Sequence, residues 1–230
     1  RNTDDDSFKA IKLYSKWATR IICNSKLASE IASNKFSIPK DKLEVVHNGI
    51  DIERFSIPQR AVDIRSELGL DNQTLLGVTV ARFAEQKNHL GLVKALAILH
   101  EKGALNNVHH LLVGNITDRT LFDRVTEEIK ICDLEKKITH LGIRSDIPEI
   151  FHDCNFMVLP SHFEGFPNVV MEAMATKTFI IASPGGGTPE LVKDGVNGIL
   201  TKSPNPEDLA LGIERYLTMS GEERQSIVDN

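Results

Sequence analysis

"NFMVLPSHFEGFPNVVMEAMATKTFIIAS", residues 155–183, reads strand, helix, strand. "NFMVLPS" and "FIIAS" are short, almost continuous apolar runs, as expected of strands covered on both faces in a parallel sheet. Between them residues 167–176 predict a helix, and Pro167 suits its first position because its φ is fixed and it has no N–H to leave orphaned. The same alternation extends in both directions. "LEVVHN" (43–48), "LLGVTVA" (75–81), "VHHLLVG" (108–114), "KITHLG" (137–142) and "GILTK" (198–202) read as further strands. Helices are predicted at about 88–102, 118–131, 145–152, 188–193 and 206–218. Upstream, "SFKAIKLYSKWATRIICNSKLASEIASNKF" reads helix, strand, helix, followed by the linker "NGIDIERFSIPQR". The fold class this predicts is α/β, an open, doubly wound parallel sheet of Rossmann-like design.

Composition sets the limits. The 230 residues suffice for one large domain, or one domain and part of another. A net charge of −5 argues against a nucleic-acid partner, which leaves a basic footprint. No apolar run reaches the roughly 20 residues of a membrane span, and none of these residues reads as a secretory leader. Cys23, Cys132 and Cys154 form neither a CxxC pair nor a disulfide framework, which fits a reducing cytoplasm. The chain starts at Arg1 and stops in a polar, helix-like stretch, so it reads as an excised piece.

Ligands of open α/β sheets bind beyond the carboxyl ends of the strands. Four such ends carry polar or glycine-rich loops: "ARFAEQKNH", "GNITD", "PSHFEGFPN" and "SPGGGTPE". Neither GxGxxG after a first strand nor GxxxxGK[ST] occurs, which sets back NAD enzymes and P-loop NTPases. Asn168, Glu172 and Thr176 recur at i, i+4 and i+8 as one narrow polar stripe on an apolar helix. Spacing alone leaves open whether Glu172 meets a ligand or water; the neighbouring loops favour a ligand. The helix start offers free amides to an anion. Arg82 and Lys87 flank the turn after "LLGVTVA", with Asn88 as a credible N-cap for the next helix. The "GGG" of residues 185–187 allows close backbone approach, and Thr188-Pro189-Glu190 looks like a capped helix start.

"EGFPNVVMEAMA" resembles the E-x7-E motif of the retaining GT-B glycosyltransferases of the group 1 or GT4 type. "HNGIDIERF", "ARFAEQKNHLGLVKA", "HLGIRSDIPEIFHDCNFMVLPS" and "PGGGTPELVKDGVNGIL" resemble neighbouring blocks of the same group, in order, from about residue 14 to residue 217. The resemblance implies roles for these positions. Glu172 would accept hydrogen bonds from the ribose. Glu164, near the reacting centre, would face the donor sugar. Arg82 and Lys87 would clamp the diphosphate, and the amides of Phe166, Asn168 and Val169 would touch the distal phosphate or sugar. Ile143 and Arg144 would border the base, Gly114 would belong to the donor-binding loops, and Glu190 would support the glycine-rich loop. At Gly114 the sequence departs from the pattern: members commonly carry Gly-x-Gly there, whereas Asn115-Ile116 follow here. His47, beside Asn48-Gly49, does not match the catalytic-cleft histidine of the N-terminal lobe and reads as a hinge or packing histidine.

The implied organisation is the end of an N-terminal acceptor lobe in residues 1–50, a nucleotide-sugar domain in residues 51–217, and the start of a crossing helix in residues 218–230. The implied activity is retaining transfer of a hexose or N-acetylhexosamine from a nucleotide-diphosphate sugar, with UDP the favoured base carrier, to a glycan or lipid-linked acceptor. No cofactor and no metal would be required, and Asp4-Asp5-Asp6 reads as a solvated helix start. The site of action would be the cytoplasm or the inner face of the membrane, held there through the remainder of the N-terminal lobe. A non-catalytic nucleotide-sugar module and a sugar-nucleotide epimerase of the same architecture are the alternatives. With the facing lobe mostly missing, the chain is expected to bind a donor without useful transfer.

Overall fold

The computed structural model describes residues 13–56 and 63–230. Asp4-Asp5-Asp6 and most of the helix expected before Ile21 lie outside the described residues. Strands β1 (Ile21–Cys23) and β2 (Leu43–Val45) form a parallel pair joined through helix α1 (Lys26–Phe36). Helices α2 (Ile52–Ser56) and α3 (Ile64–Glu67) then lead to the main sheet. There β3 (Leu75–Val80), α4 (His89–Glu101), β4 (Val108–Val113), α5 (Arg119–Ile131) and β5 (Ile138–Gly142) build one half. The other half is α6 (Ile147–Asp153), β6 (Phe156–Leu159), α7 (Asn168–Ala175), β7 (Phe179–Ala182), α8 (Thr188–Leu191), β8 (Ile199–Leu200) and α9 (Pro206–Thr218). Helix α10 (Gly221–Val228) comes last. Six strands run parallel in the order β5-β4-β3-β6-β7-β8.

The continuous apolar strands have a direct physical cause. Successive side chains point to opposite faces, and helices cover both. Phe156, Val158, Phe179 and Ile181 enter the core with Leu92, Leu96 and Ile213 of α4 and α9. Met157, Leu159, Ile180 and Ala182 enter a second core with Phe151 of α6 and Val170 of α7. A strand buried on both faces favours apolar side chains at every position, and a polar one enters with a partner, as Thr79 does by donating to Val158 O at 2.9 Å.

Several expectations change in detail. "LEVVHN" pairs only over Leu43–Val45, because His47 and Asn48 turn off to partners in the second half. Pro167 is the N-cap of α7 and not its first helical residue. Thr176 does not extend the polar stripe: its buried hydroxyl bonds back to Ala173 O at 3.0 Å and meets Thr178 Oγ1 at 2.8 Å. Gly187, not Thr188, occupies the N-cap of α8. Past Thr218 the helix ends, and a new one, α10, is opened by a capping box between Ser220 and Glu223. Among the described residues no helix is long and apolar enough to cross a membrane.

Candidate functional site

The sheet order fixes where a ligand can sit. From β3 the chain moves outward through β4 and β5, then returns to β6 on the other side of β3. Connections leaving β3 and β6 diverge to opposite faces, and a crevice opens between their carboxyl ends. A cavity of about 560 Å³ lies there, within the range of small-ligand sites. Arg82, Lys87, Glu164, Phe166, Asn168, Val169 and Glu172 line it, together with Asn48 and Gln86. Seven of the ten expected site residues are thus brought to one cleft by loops separated by up to 90 positions (82 to 172).

Arg82 is presented by a pinned backbone. Ala81 N–H donates to Val113 O at 2.9 Å, Phe83 N–H donates to Asn115 O at 2.8 Å, and Thr117 Oγ1 donates to Phe83 O at 2.6 Å. The Phe83 ring is fully buried and stacks on His89 at 4.2 Å. Among the described residues the Arg82 guanidinium has no hydrogen-bond or ion-pair partner, so it faces the cleft uncommitted. Gly114 works behind it. A Cβ there would collide with the Ala81 carbonyl, and its φ of 151° disfavours other residues. The glycine therefore lets the β4 end approach the Arg82 backbone and does not itself line the cleft.

Lys87 and Glu164 line the cleft as a pair. The loops that carry them are stitched together: His162 N–H donates to Gln86 O at 2.9 Å, and Gln86 Nε2 donates to Phe163 O. Asn88, in the left-handed region at φ 54°, accepts from Gly91 N–H at 3.2 Å and so caps α4. Its Nδ2 donates to Pro160 O at 3.0 Å and Pro204 O at 2.8 Å. Lys87 Nζ then donates to Glu164 Oε1 at 2.6 Å, with side chains 20% and 9% exposed. An ammonium has three donors, so two remain for an incoming anion. Glu164 can be buried because the glycine run lies against it: Gly187 N–H donates to Glu164 O at 2.8 Å, and a Cβ at Gly186 (φ 69°) would strike that same carbonyl.

Helix α7 supplies the opposite wall. The amides of Asn168 and Val169 at its start precede the first intrahelical acceptor and, with the helix dipole, favour an anion, while Val170 N–H already donates to Pro167 O at 3.1 Å. One turn on, Glu172 is half-buried. Burial raises its pKa, and the positive charge of Arg54 on α2 partly offsets this. A carboxylate in that condition gains from hydroxyl donors.

Ile143 and Arg144 are not brought into this lining. They follow β5, two strands from the crevice. Arg144 bonds Glu67 Oε1 at 2.9 Å and Asp146 Oδ2 at 2.8 Å, while Ile143 is 74% exposed. Glu190 does not brace the glycine loop by its side chain. It accepts from the amides of Lys26 at 2.9 Å and Leu27 at 3.1 Å, capping α1 from across the molecule. Asn48 also lines the cleft although no motif marks it beyond its place in "HNG"; its Nδ2 donates to Asn168 Oδ1 at 2.9 Å. Among the described residues no group of three or more His, Cys, Asp or Glu is placed to hold a metal.

The sequence profile described as "Glycosyl transferases group 1" matches residues 62–230. The chain belongs to that family. A second profile, "Glycosyltransferase Family 4", matches residues 4–54. Among relatives of this group 1 chain, an uncharacterized glycosyltransferase of Methanocaldococcus jannaschii is 28% identical over 99% of the chain and 58% of its own length. The UDP-Gal:alpha-D-GlcNAc-diphosphoundecaprenol alpha-1,3-galactosyltransferase of Escherichia coli is 30% identical over 84% of the chain and 51% of its own length. Among solved structures, Anabaena Alr3699/HepE, in complex with UDP and glucose, superposes with a TM-score of 0.88 at 26% identity. That match covers 100% of this chain and 62% of the Anabaena chain. The group 1 chain described here thus spans just over half the length of the relatives it matches, and its structural neighbours are GT-B glycosyltransferases.

Proposed function

We propose that this chain carries the donor site of a retaining glycosyltransferase that moves a hexose or N-acetylhexosamine from a UDP-sugar to a glycan or lipid-linked acceptor. One observation carries the reading. At the switch point, an uncommitted guanidinium, a lysine with donors to spare and a helix N-terminus surround one cavity, with a half-buried carboxylate a turn away. That is a diphosphate site beside a ribose site. The Anabaena relative, seen with UDP and glucose, supports this choice of ligand.

The chemistry follows from the charges. When the anomeric carbon–oxygen bond breaks, negative charge grows on the distal phosphate. Arg82, Lys87 and the first-turn amides of α7 stabilise that charge more in the transition state than in the ground state, which is where rate is gained. Glu164 keeps Lys87 in place beside the sugar. An acceptor hydroxyl attacking on the same face hands its proton to the departing phosphate oxygen, giving retention with no protein nucleophile. Holding that acceptor is assigned to the remainder of the N-terminal lobe. The positive charge comes from side chains and amides, so the reading requires no metal.

Calorimetric titration of residues 1–230 with UDP, GDP, ADP and uridine tests it. UDP binding tighter than GDP and ADP, and unaltered by EDTA, is expected. Absence of nucleoside diphosphate binding refutes the site. For the intact protein, the anomeric configuration of the product decides retention.

A further inference from the structure

His47 is unused by this mechanism, yet it lies against the donor loop. Its Nε2 is 3.1 Å from Glu190 Oε2, and its ring stacks on Phe166 with centroids 4.5 Å apart and planes 18° apart. The Glu190 carboxylate is itself fixed by the amides of Lys26 and Leu27 at the start of α1. The next residue completes the hold: Asn48 Nδ2 lies 3.4 Å from Phe166 O and 2.9 Å from Asn168 Oδ1.

The turn so gripped is the one whose residues, Phe166 to Val169, line the cleft. Pro167 has a fixed φ, and a residue before proline is confined to extended backbone. Residual freedom of the turn therefore sits at Gly165 and in the ring and carbonyl of Phe166. His47 and Asn48 take hold of that ring and that carbonyl. We propose that His47 is a positioning residue for the phosphate end of the donor site: anchored on Glu190, it stacks on Phe166 and sets the amides of Phe166, Asn168 and Val169 where the distal phosphate needs them. Through His47 and Asn48, the segment matched by the Family 4 profile shapes a site built from the segment matched by the group 1 profile.

The inference rests on the donor-site reading, and its test separates the two. UDP and uridine are titrated into the parent chain and into His47→Ala, His47→Phe and His47→Gln, with melting temperatures recorded. Amide hydrogen exchange over residues 164–170 is followed without ligand. Loss of an aromatic stack lowers UDP affinity in His47→Ala by roughly three- to tenfold, with uridine affinity unchanged and exchange faster. His47→Phe keeps the stack and recovers most of the affinity, whereas His47→Gln recovers little. UDP affinity in His47→Ala equal to the parent's overturns the proposal. So does an equal loss for uridine and UDP, which marks a general structural role. Should His47→Ala fail to fold, the Phe and Gln variants decide, and recovery in Gln alone overturns the stacking account. A parent chain that binds no UDP refutes the donor-site reading, and the positioning role falls with it.

Discussion

The two edges of the main sheet handle charge in opposite ways. At the amino ends of the strands, Arg65 is engaged through four of its five N–H donors: it donates to Thr74 O at 3.1 Å, Asp153 O at 3.0 Å, Asp153 Oδ1 at 2.7 Å and Asn155 Oδ1 at 2.9 Å. Asn155 Oδ1 also accepts from Leu76 N–H at 2.8 Å, and Asp153 Oδ2 accepts from Ile64 N–H at 2.8 Å. At the carboxyl ends, Arg82 has no such partner among the described residues, and Glu172 is half-buried with only the more distant charge of Arg54 to offset burial. A polar group that costs free energy to bury is normally satisfied inside the protein. Where the satisfaction is missing next to a cavity, a ligand is the natural supplier. Saturation, and not charge or burial alone, separates a structural arginine from a ligand-facing one.

The largest effect expected is at the saturated edge. Arg65→Met should leave Asp153 and Asn155 without their partner and cost about 2–4 kcal/mol of stability, the scale for breaking a largely buried pair. UDP affinity should be untouched. Urea unfolding checks the first statement and titration the second; an unchanged midpoint would erase the distinction drawn between the edges.

At the open edge the pattern should invert. Arg82→Ala should weaken UDP binding by about 1.5–3 kcal/mol, the range for hydrogen bonds to charged groups, and alter stability by less than about 0.5 kcal/mol. Uridine should bind as before. Glu172→Gln, at the ribose, should weaken UDP and uridine alike by a similar amount. If the two variants fail to part company on uridine, the phosphate and ribose ends have been assigned to the wrong walls.

How much of this could be read from the residues depends on whether the cause is local. Strands were legible because burial on both faces leaves a continuous apolar run, as in "FIIAS". Asn88 was legible as a cap because an N-cap acts over three residues. The pairing of Lys87 with Glu164 spans 77 positions, and nothing in either loop announces it. Glu190 departs from expectation for the same reason: its partners Lys26, Leu27 and His47 are 164, 163 and 143 positions away. Thr176 kept helical period with Glu172, but α7 ends at Ala175 and the hydroxyl bends back to it. The cleft was legible as a set of loop residues; its saturation pattern was not.

The core histidines give a pH test of the closed interior. Burial pushes the pKa of His89 down to about 4 and that of His110 down to about 3, from 6.5. The unfolded chain therefore takes up their protons below pH 6.5 while the native chain refuses them. Stability is full above that pH and falls as pH drops, by about 1.4 kcal/mol per pH unit for each histidine. His109, also lowered by burial, acts in the same direction. Carboxylates such as Glu190, whose pKa is held below 4.5, contribute only in more acid solution. Melting of the parent from pH 7 to 5 should show this slope, and His89→Phe, which keeps a ring on Phe83, should remove one proton's share. A flat profile over that window would contradict neutral buried imidazoles.

The smallest effect tests whether saturation still decides at the ligand edge itself. Ile143 and Arg144 stand at the carboxyl end of β5, and the motif resemblance assigns both to the base. Arg144 is nevertheless engaged like Arg65, between Glu67 and Asp146, and those carboxylates raise its pKa further. By the saturation criterion Arg144→Ala should cost about 1 kcal/mol of stability, since Glu67 is partly exposed, and should change UDP affinity less than about threefold. Ile143, open to solvent, can still offer an apolar surface to a base; Ile143→Ala should weaken uridine and UDP equally, by about two- to threefold, the scale of a few buried methylenes partly recovered by water. A tenfold loss of affinity in Arg144→Ala with stability intact would show that an arginine with two carboxylate partners can still exchange them for a nucleotide, and the criterion would then hold only for the amino-end edge.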